Sequence, residues 1–179
     1  MSYSETLSAW VAELQYQQLP AALVRHSRLR IIDVIGLALA GHGTAFGQSV
    51  VSSTLALAPQ GCSRIFGTGA ATTVTSAAFA NGALSQALEF DDTHNRSIVH
   101  MSGPSVACAL ALADRDNCSF GKLLTAIALG SELACRIGSV APGQFHRRGF
   151  HPTGLFSAFG CTWLAGSLLG ATAQQMTNA

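Results

Sequence analysis

Residues 119–138 read SFGKLLTAIALGSELACRIG, and this stretch indicates the fold class more clearly than any other part of the chain. Ser119 is placed to cap a helix, because a serine hydroxyl accepts a hydrogen bond from the first turn. The apolar residues that follow recur at helical spacing on or near one face. They are Leu123, Leu124, Ile127, Leu129, Leu133 and Ile137. Such a pattern predicts a helix that buries one face in a core.

Comparable helical patterns lie on both sides of this segment. Ser2 and Glu5 form the capping box of a first helix, and a second helix starts near Pro20 and stops at residues 41–43. Further helices are predicted over residues 46–57, 72–88, 104–113 and 153–169, with another beginning at Thr172. Residues 63–69 are the only plausible extended piece, and no strand alternation occurs elsewhere. The sequence therefore predicts an all-α multi-helix bundle, in one domain over residues 1–179.

The amino-acid composition indicates which kinds of binding partner to expect. The net charge is +1, which gives no electrostatic reason to expect nucleic acid or an acidic membrane surface. Only 11% of the residues are charged, and much of the apolar fraction is alanine and glycine, which let helices approach closely. With so few charged residues, a monomer would expose more apolar surface than soluble monomers usually do. We therefore expect a homodimer.

Membrane insertion and secretion are both disfavoured. Residues 153–173 carry no charge and could span a bilayer, but glycine, serine and threonine dilute them and no basic cluster follows. A buried central helix is the better interpretation. The five cysteines are spread singly, as free thiols in a reducing compartment would be, and residues 1–5 lack the features of a signal peptide. These features predict a cytoplasmic protein.

Acids and imidazoles are concentrated in residues 88–104, LEFDDTHNRSIVHMSGP. Asp91 and Asp92 could bind or abstract protons, and His94 and His100 can change charge near neutral pH. Alternatively, Asp92 or Thr93 caps a helix and the histidines are solvated. A metal site built from the two aspartates and two histidines is a third interpretation, but no spacing fixes a coordination geometry.

A second polar cluster occupies residues 144–154, QFHRRGFHPTG, just before the long apolar helix. Arg147 and Arg148, together with a helix N-terminus, could bind a carboxylate. His151 precedes a proline, so its backbone is biased towards extended geometry and its ring can project away from the helix. A basic surface turn is the simpler alternative. We expect His100 and His151, 51 positions apart, to face one shared cleft, with Arg147 and Arg148 on one side of it.

Several motifs together resemble the N-terminal part of the MmgE/PrpD family, which includes 2-methylcitrate dehydratase, cis-aconitate decarboxylase and iminodisuccinate epimerase. They are RIIDVIG at 30–36, ALAG at 38–41, ANG at 80–82 leading to DDTH at 91–94, His100 with SGP at 102–104, GSELACR at 130–136 and GFHPTGL at 149–155. The resemblance implies a large helical domain, a smaller α/β lid and a homodimer, with the active site between the two domains.

The resemblance also implies roles for individual residues. Asp91, Thr93, His100 and His151 match catalytic positions, and Asp92 and His94 accompany them in the acidic loop as candidates for substrate binding. Arg147 and Arg148 are added to that substrate-binding set on chemical grounds. Glu89 departs from the family, since relatives carry DFDD where this chain has EFDD. The implied substrate is a small di- or tricarboxylate, with proton transfer at the carbon next to a carboxylate and without metal or organic cofactor.

The length departs from the family, whose members are more than twice as long. The lid, with its lysine and tyrosine, would follow residue 179, and the only lysine here, Lys122, does not match that role. We therefore expect a truncated member that is inactive alone. The rival interpretation is a non-catalytic helical dimerisation module derived from the family. The sequence leaves open which acid is the substrate and which histidine is acid or base.

Overall fold

The computed structural model describes residues 2–179, and within them nine α-helices form a bundle. The helices are α1 (Tyr3–Glu13), α2 (Ala21–His42), α3 (Ala45–Leu57), α4 (Val74–Gln86), α5 (Ser102–Asp116), α6 (Phe120–Gly138), α7 (Gln144–Arg147), α8 (Pro152–Leu169) and α9 (Ala173–Asn178). A 3₁₀ turn, Tyr16–Gln18, links α1 to α2. The strands β1 (Ser63–Arg64) and β2 (Ala71–Thr72) form a small antiparallel hairpin. The all-α prediction is confirmed.

The predicted helix starts agree with the observed caps. Ser2 and Glu5 form the capping box of α1, the Ser119 hydroxyl accepts from Lys122 N–H at the start of α6, and Thr172 caps α9. The hairpin strand β2 and the one-turn helix α7 were not predicted. Both are too short to show a hydrophobic period, and α7 lies inside the second polar cluster, residues 144–154.

The core is centred on α6, which packs against α8 and α5. The crossing of α6 and α8 depends on two glycines that face each other. A Cβ on Gly130 would lie 2.8 Å from the Gly160 carbonyl oxygen, and a Cβ on Gly160 would lie 2.5 Å from the Gly130 oxygen. Only glycine permits so close an approach of two helix backbones. The small residues of the sequence therefore serve helix packing.

The uncharged segment predicted as a buried helix is α8. Its residues Phe156, Trp163 and Leu164 are buried, while Leu155 and Phe159 are exposed. Across residues 2–179, no helix by itself combines the length and hydropathy of a membrane span. The pair α2 and α3 reaches those values only when taken together, and the two helices meet at an angle of 94°.

Candidate active site

The polar residues predicted as a site lie in the segment that joins α4 to α5, residues 87–101, here called the site loop. Apolar anchors hold the loop on both sides of His100. Val99 and Met101 are buried against Ala134 of α6 and Phe156 of α8. Because neighbouring residues of an extended segment point to opposite sides, burial of these two anchors leaves the His100 side chain 27% exposed. The loop is therefore fixed to the core helices.

A tight reversal within the loop is held by backbone hydrogen bonds between His94 and Val99. It forces Ile98 into a left-handed conformation, with φ of 56°. A β-branched residue adopts that conformation at a cost of about 1–2 kcal/mol. Gly138 lies so close below that a Cβ there would come within 2.8 Å of Ser97 Cβ. The surrounding packing maintains a strained loop.

Asp91 and His100 lie side by side in the loop. The Asp91 Oδ2 atom is 3.4 Å from His100 Nδ1, and the Asp91 side chain is only 2% exposed. The contact is an ion-pair distance without hydrogen-bond geometry, and Oδ2 has no hydrogen-bond partner among residues 2–179. The Thr93 hydroxyl lies 3.3 Å from the same Nδ1. Three residues predicted as catalytic are thus brought together.

Burial determines the protonation behaviour of Asp91. Desolvation raises the pKa of its carboxyl group and is the largest influence, while the nearby His100 acts in the opposite direction. The negative charge of Asp92 adds to the increase. A buried carboxylate with one oxygen left without a hydrogen-bond donor is costly, so Asp91 is held in this place at the expense of stability.

His151 is the N-cap of α8. Its Nδ1 accepts a hydrogen bond from Gly154 N–H at 3.3 Å, so the proton of the neutral ring is carried by Nε2. The ring centroid lies 6.4 Å from that of His100, with 33° between the ring planes. The predicted approach of the two histidines is confirmed.

A direct bond also joins the two segments that carry the histidines. The backbone N–H of His100 donates to Thr153 Oγ1 at 3.0 Å, across 53 positions of sequence. Thr153 lies in the first turn of α8, next to His151. The separation of the two rings is therefore fixed by a hydrogen bond as well as by the core below.

Asp92 faces different partners. Its Oδ2 accepts a hydrogen bond from the Ser102 hydroxyl at 2.7 Å and lies 3.6 Å from Arg30 Nε. Neither Arg30 nor Ser102 was predicted as a site residue. Arg30 could have been suspected, because it is the charged residue at the start of the apolar half of α2. Ser102 carries no such signal, since serine in the first turn of a helix is ordinary.

Among residues 2–179, the remaining predicted residues form no hydrogen bond or ion pair with His100 or His151. The His94 ring bonds to Ser97 Oγ at 2.7 Å, and His94 lines a neighbouring cavity between α1, α2 and α6. Arg147 and Arg148 are exposed at the end of α7, and among residues 2–179 neither forms an ion pair. Their roles in substrate binding stay predictions. Lys122 donates to the Leu168 carbonyl at 2.8 Å, at the end of α8.

The donors of the site loop do not form a metal-binding set. Within residues 2–179, no group of three histidine, cysteine, aspartate or glutamate side chains has the proximity that a metal ion requires. Asp91 and Asp92 face different partners, and His94 is engaged by Ser97. The geometry instead resembles an acid–base pair with an orienting carboxylate.

Comparison with known families agrees with this geometry. The model of the MmgE/PrpD N-terminal domain matches residues 5–179. The chain belongs to the MmgE/PrpD family. Among curated proteins, it is similar to the cis-aconitate decarboxylase-like protein oryM of Aspergillus oryzae (strain ATCC 42149 / RIB 40), with 24% identity over 181 residues. That alignment covers 97% of this chain and 38% of the relative, so the chain spans well under half of the relative's length.

In this member of the MmgE/PrpD family, the contacts at the two imidazoles favour different tautomers. The Asp91 carboxylate favours a proton on His100 Nδ1, which leaves a lone pair on Nε2. The α8 backbone favours a proton on Nε2 of His151. One ring can therefore accept a proton while the other donates a hydrogen bond.

Proposed function

We propose that the cleft between His100 and His151 transfers a proton at the carbon next to a carboxylate of a small di- or tricarboxylate. The observation that carries the proposal is the 6.4 Å separation of two imidazoles with complementary donor and acceptor nitrogens. A small acid placed between them could contact both rings. Proton transfer of this kind is common to dehydratases, decarboxylases and epimerases, so the reaction belongs to a lyase or isomerase.

His100 is the base in this proposal. Its Nε2 removes the proton as the C–H bond breaks, and the electron pair delocalises onto the adjacent carboxylate. The imidazolium that results lies next to the buried Asp91 carboxylate, which stabilises it and holds the ring orientation. Thr93 restrains the ring from the same side.

His151 is the hydrogen-bond donor. As negative charge develops on the substrate carboxylate, Nε2–H donates to it, in the way that a neutral imidazole polarises an enolate. The first turn of α8 adds a positive partial charge. Because Gly154 N–H is occupied by His151, the Thr153 N–H is the donor that the turn offers to a substrate oxygen. Arg147 and Arg148 are the proposed partners of a second carboxylate.

The relative supports the substrate class only through its printed name, a cis-aconitate decarboxylase-like protein. Because this chain spans 38% of that relative, the activity of a whole protein is itself part of the proposal. The cleft is open to water, so it binds an acid weakly and solvent screens its charges. We therefore expect no turnover of cis-aconitate or 2-methylcitrate by residues 1–179 alone.

A titration of the chain with cis-aconitate, followed by NMR of the histidine ring protons, tests the proposal. The signals of His100 and His151 should shift together and saturate with one dissociation constant. The exposed His26 on α2 is the control and should not shift. Saturation that spares either site histidine would contradict a shared site, and robust turnover by the chain alone would contradict the dependence on further groups.

Self-association is the second candidate function, and exposed apolar side chains favour it. Ile32 of α2 is 68% exposed and Phe79 of α4 is 69% exposed. Large apolar side chains this accessible are often covered by a partner. We propose that the chain forms a homodimer, whether or not the cleft is active.

A further inference from the structure

A cavity of about 600 Å³ lies beside the site loop, between the end of α1, the start of α2 and the middle of α6. Its wall is mostly apolar, with Trp10, Leu19, Leu23 and Leu129 among the lining residues. The volume falls in the range of small-molecule sites, which combine an apolar lining with a few polar groups. The Asp91, His100 and His151 side chains do not line it.

The cavity has a cation with unused donors. Arg30 lines it and, among residues 2–179, forms one ion pair, with Asp92 at an Nε–Oδ2 distance of 3.6 Å. This long contact uses one edge of the guanidinium and leaves the terminal nitrogens without a hydrogen bond in the described chain. A guanidinium prefers to bind a carboxylate through two parallel N–H donors. Arg30 is therefore equipped to bind an anionic head group.

A buried hydroxyl provides an independent observation. Ser131 lines the same cavity, is 7% exposed, and its Oγ has no hydrogen-bond partner among residues 2–179. On the same helix, Thr125 satisfies its hydroxyl by donating to the Gly121 carbonyl at 2.9 Å. A buried hydroxyl without a partner costs about 1–3 kcal/mol, so a ligand oxygen that paired with it would remove that cost.

The charges of the lining select among anions. Glu132 and Arg136 both line the cavity and pair with each other, so this end of the cavity carries little surplus positive charge. A di- or tricarboxylate would place its second charge against the apolar wall or beside Glu132, which already neutralises Arg136, and both are unfavourable. A single carboxylate on an apolar chain fits both halves of the lining.

From these observations we propose that the cavity is a binding site for an amphipathic monocarboxylate of medium chain length. The carboxylate pairs with Arg30 and accepts from Ser131, and the chain lies against Trp10 and the leucines. The site is distinct from the proposed acid–base cleft and does not depend on its activity. Because Arg30 also contacts Asp92 of the site loop, an occupied cavity competes with Asp92 for the same guanidinium.

Sodium octanoate is the probe, with binding followed by calorimetry and by the fluorescence of Trp10. Octanoate should bind saturably with one site per chain. 1-Octanol, which has the chain without the charge, should bind at least about 10-fold more weakly, because losing a hydrogen bond between charged groups weakens binding by about that factor. Succinate, which has charge without the chain, should neither bind at this site nor displace octanoate.

Variants locate the site on the molecule. Arg30→Gln should weaken octanoate binding by about 10-fold or more. Ser131→Leu should weaken it further, because the change removes the hydroxyl and places a bulky apolar group where the carboxylate binds. Arg25→Gln, an exposed change on the same helix as Arg30, should leave it unchanged. If Arg30→Gln does not fold, the comparison of octanoate with 1-octanol in the unchanged protein makes the same test. Equal binding of octanoate and 1-octanol, no saturable binding at millimolar concentration, or displacement of octanoate by succinate would each overturn the proposal.

Discussion

Replacing Asp91 by asparagine should make the protein more stable while removing the carboxylate that orients His100, the base of the proposed reaction. The wild-type carboxylate is buried, with 2% of its side chain exposed, and Oδ2 accepts no hydrogen bond among residues 2–179. Neutralising a buried, poorly partnered charge at nearly constant volume should raise the free energy of unfolding by about 1–2 kcal/mol at neutral pH. For a chain of this length, that gain corresponds to about 2–8 °C in the melting temperature.

The effect should depend on pH with a definite sign. Burial raises the pKa of Asp91 in the folded protein above its unfolded value of about 3.9. The contribution of Asp91 to the free energy of unfolding is therefore fully present when the pH is below the unfolded pKa, where the carboxyl group is neutral in both states. That contribution is lost as the pH rises through the folded pKa and the buried group ionises. The advantage of Asp91→Asn should be largest at neutral pH and should disappear in acid, where the wild-type carboxyl is also neutral.

Asp92→Asn is the matched control, because the same change one position along should have the opposite sign. Asp92 is 41% exposed, accepts from Ser102 at 2.7 Å and lies near Arg30. Its loss should lower the free energy of unfolding by up to about 1 kcal/mol. Thermal and urea unfolding of both variants between neutral and acid pH make the comparison. An Asp91→Asn protein less stable than the wild type at neutral pH would refute the reasoning.

Three further predictions concern the packing that supports the site. Gly130→Ala should lower the free energy of unfolding by about 1–2 kcal/mol, because the new Cβ would clash with the facing carbonyl oxygen of Gly160. Gly154 has open space around it, so Gly154→Ala should raise the free energy of unfolding by up to about 1 kcal/mol. Urea unfolding measures both changes. Equal effects would contradict the close crossing of α6 and α8. Thr153→Val should cost about 1–2 kcal/mol by leaving the His100 N–H unpaired, and Thr153→Ser should restore most of it. Sedimentation should show a dimer at micromolar concentration, and Ile32→Lys should dissociate it; a stable monomer at tens of micromolar would remove the proposed self-association.

The fold could be predicted from the sequence largely because helix signals are local. The cap at Ser119, the capping boxes at residues 2–5 and 172–175 and the stop at Gly43 are confirmed within a residue or two. The start of α5 was predicted at Pro104 but lies at Ser102, because a proline in the first turn does not have to be the first helical residue. Elements of two to four residues, such as β2 and α7, have no period to detect.

The sequence predicted which residues belong to the candidate site better than it predicted how they contact one another. The proximity of His100 and His151 followed from two loops at one end of the bundle and is confirmed at 6.4 Å. The different surroundings of Asp91 and Asp92 could not be predicted from the sequence, because they depend on which residues each carboxylate contacts in the folded protein. Asp91 is buried beside His100, while Asp92 faces Ser102 and Arg30. The favoured tautomers likewise depend on the tertiary contacts at each Nδ1.

Nitrogen-15 NMR of the histidine rings tests the central claim most directly, since the shifts of the two ring nitrogens report which one carries the proton. At a pH where both rings are neutral, His100 should be protonated on Nδ1 and His151 on Nε2. In Asp91→Asn, His100 should change to the Nε2–H form, because the asparagine amide can donate to Nδ1, while His151 should not change. Finding His100 in the Nε2–H form in the unchanged protein would contradict its assignment as the base.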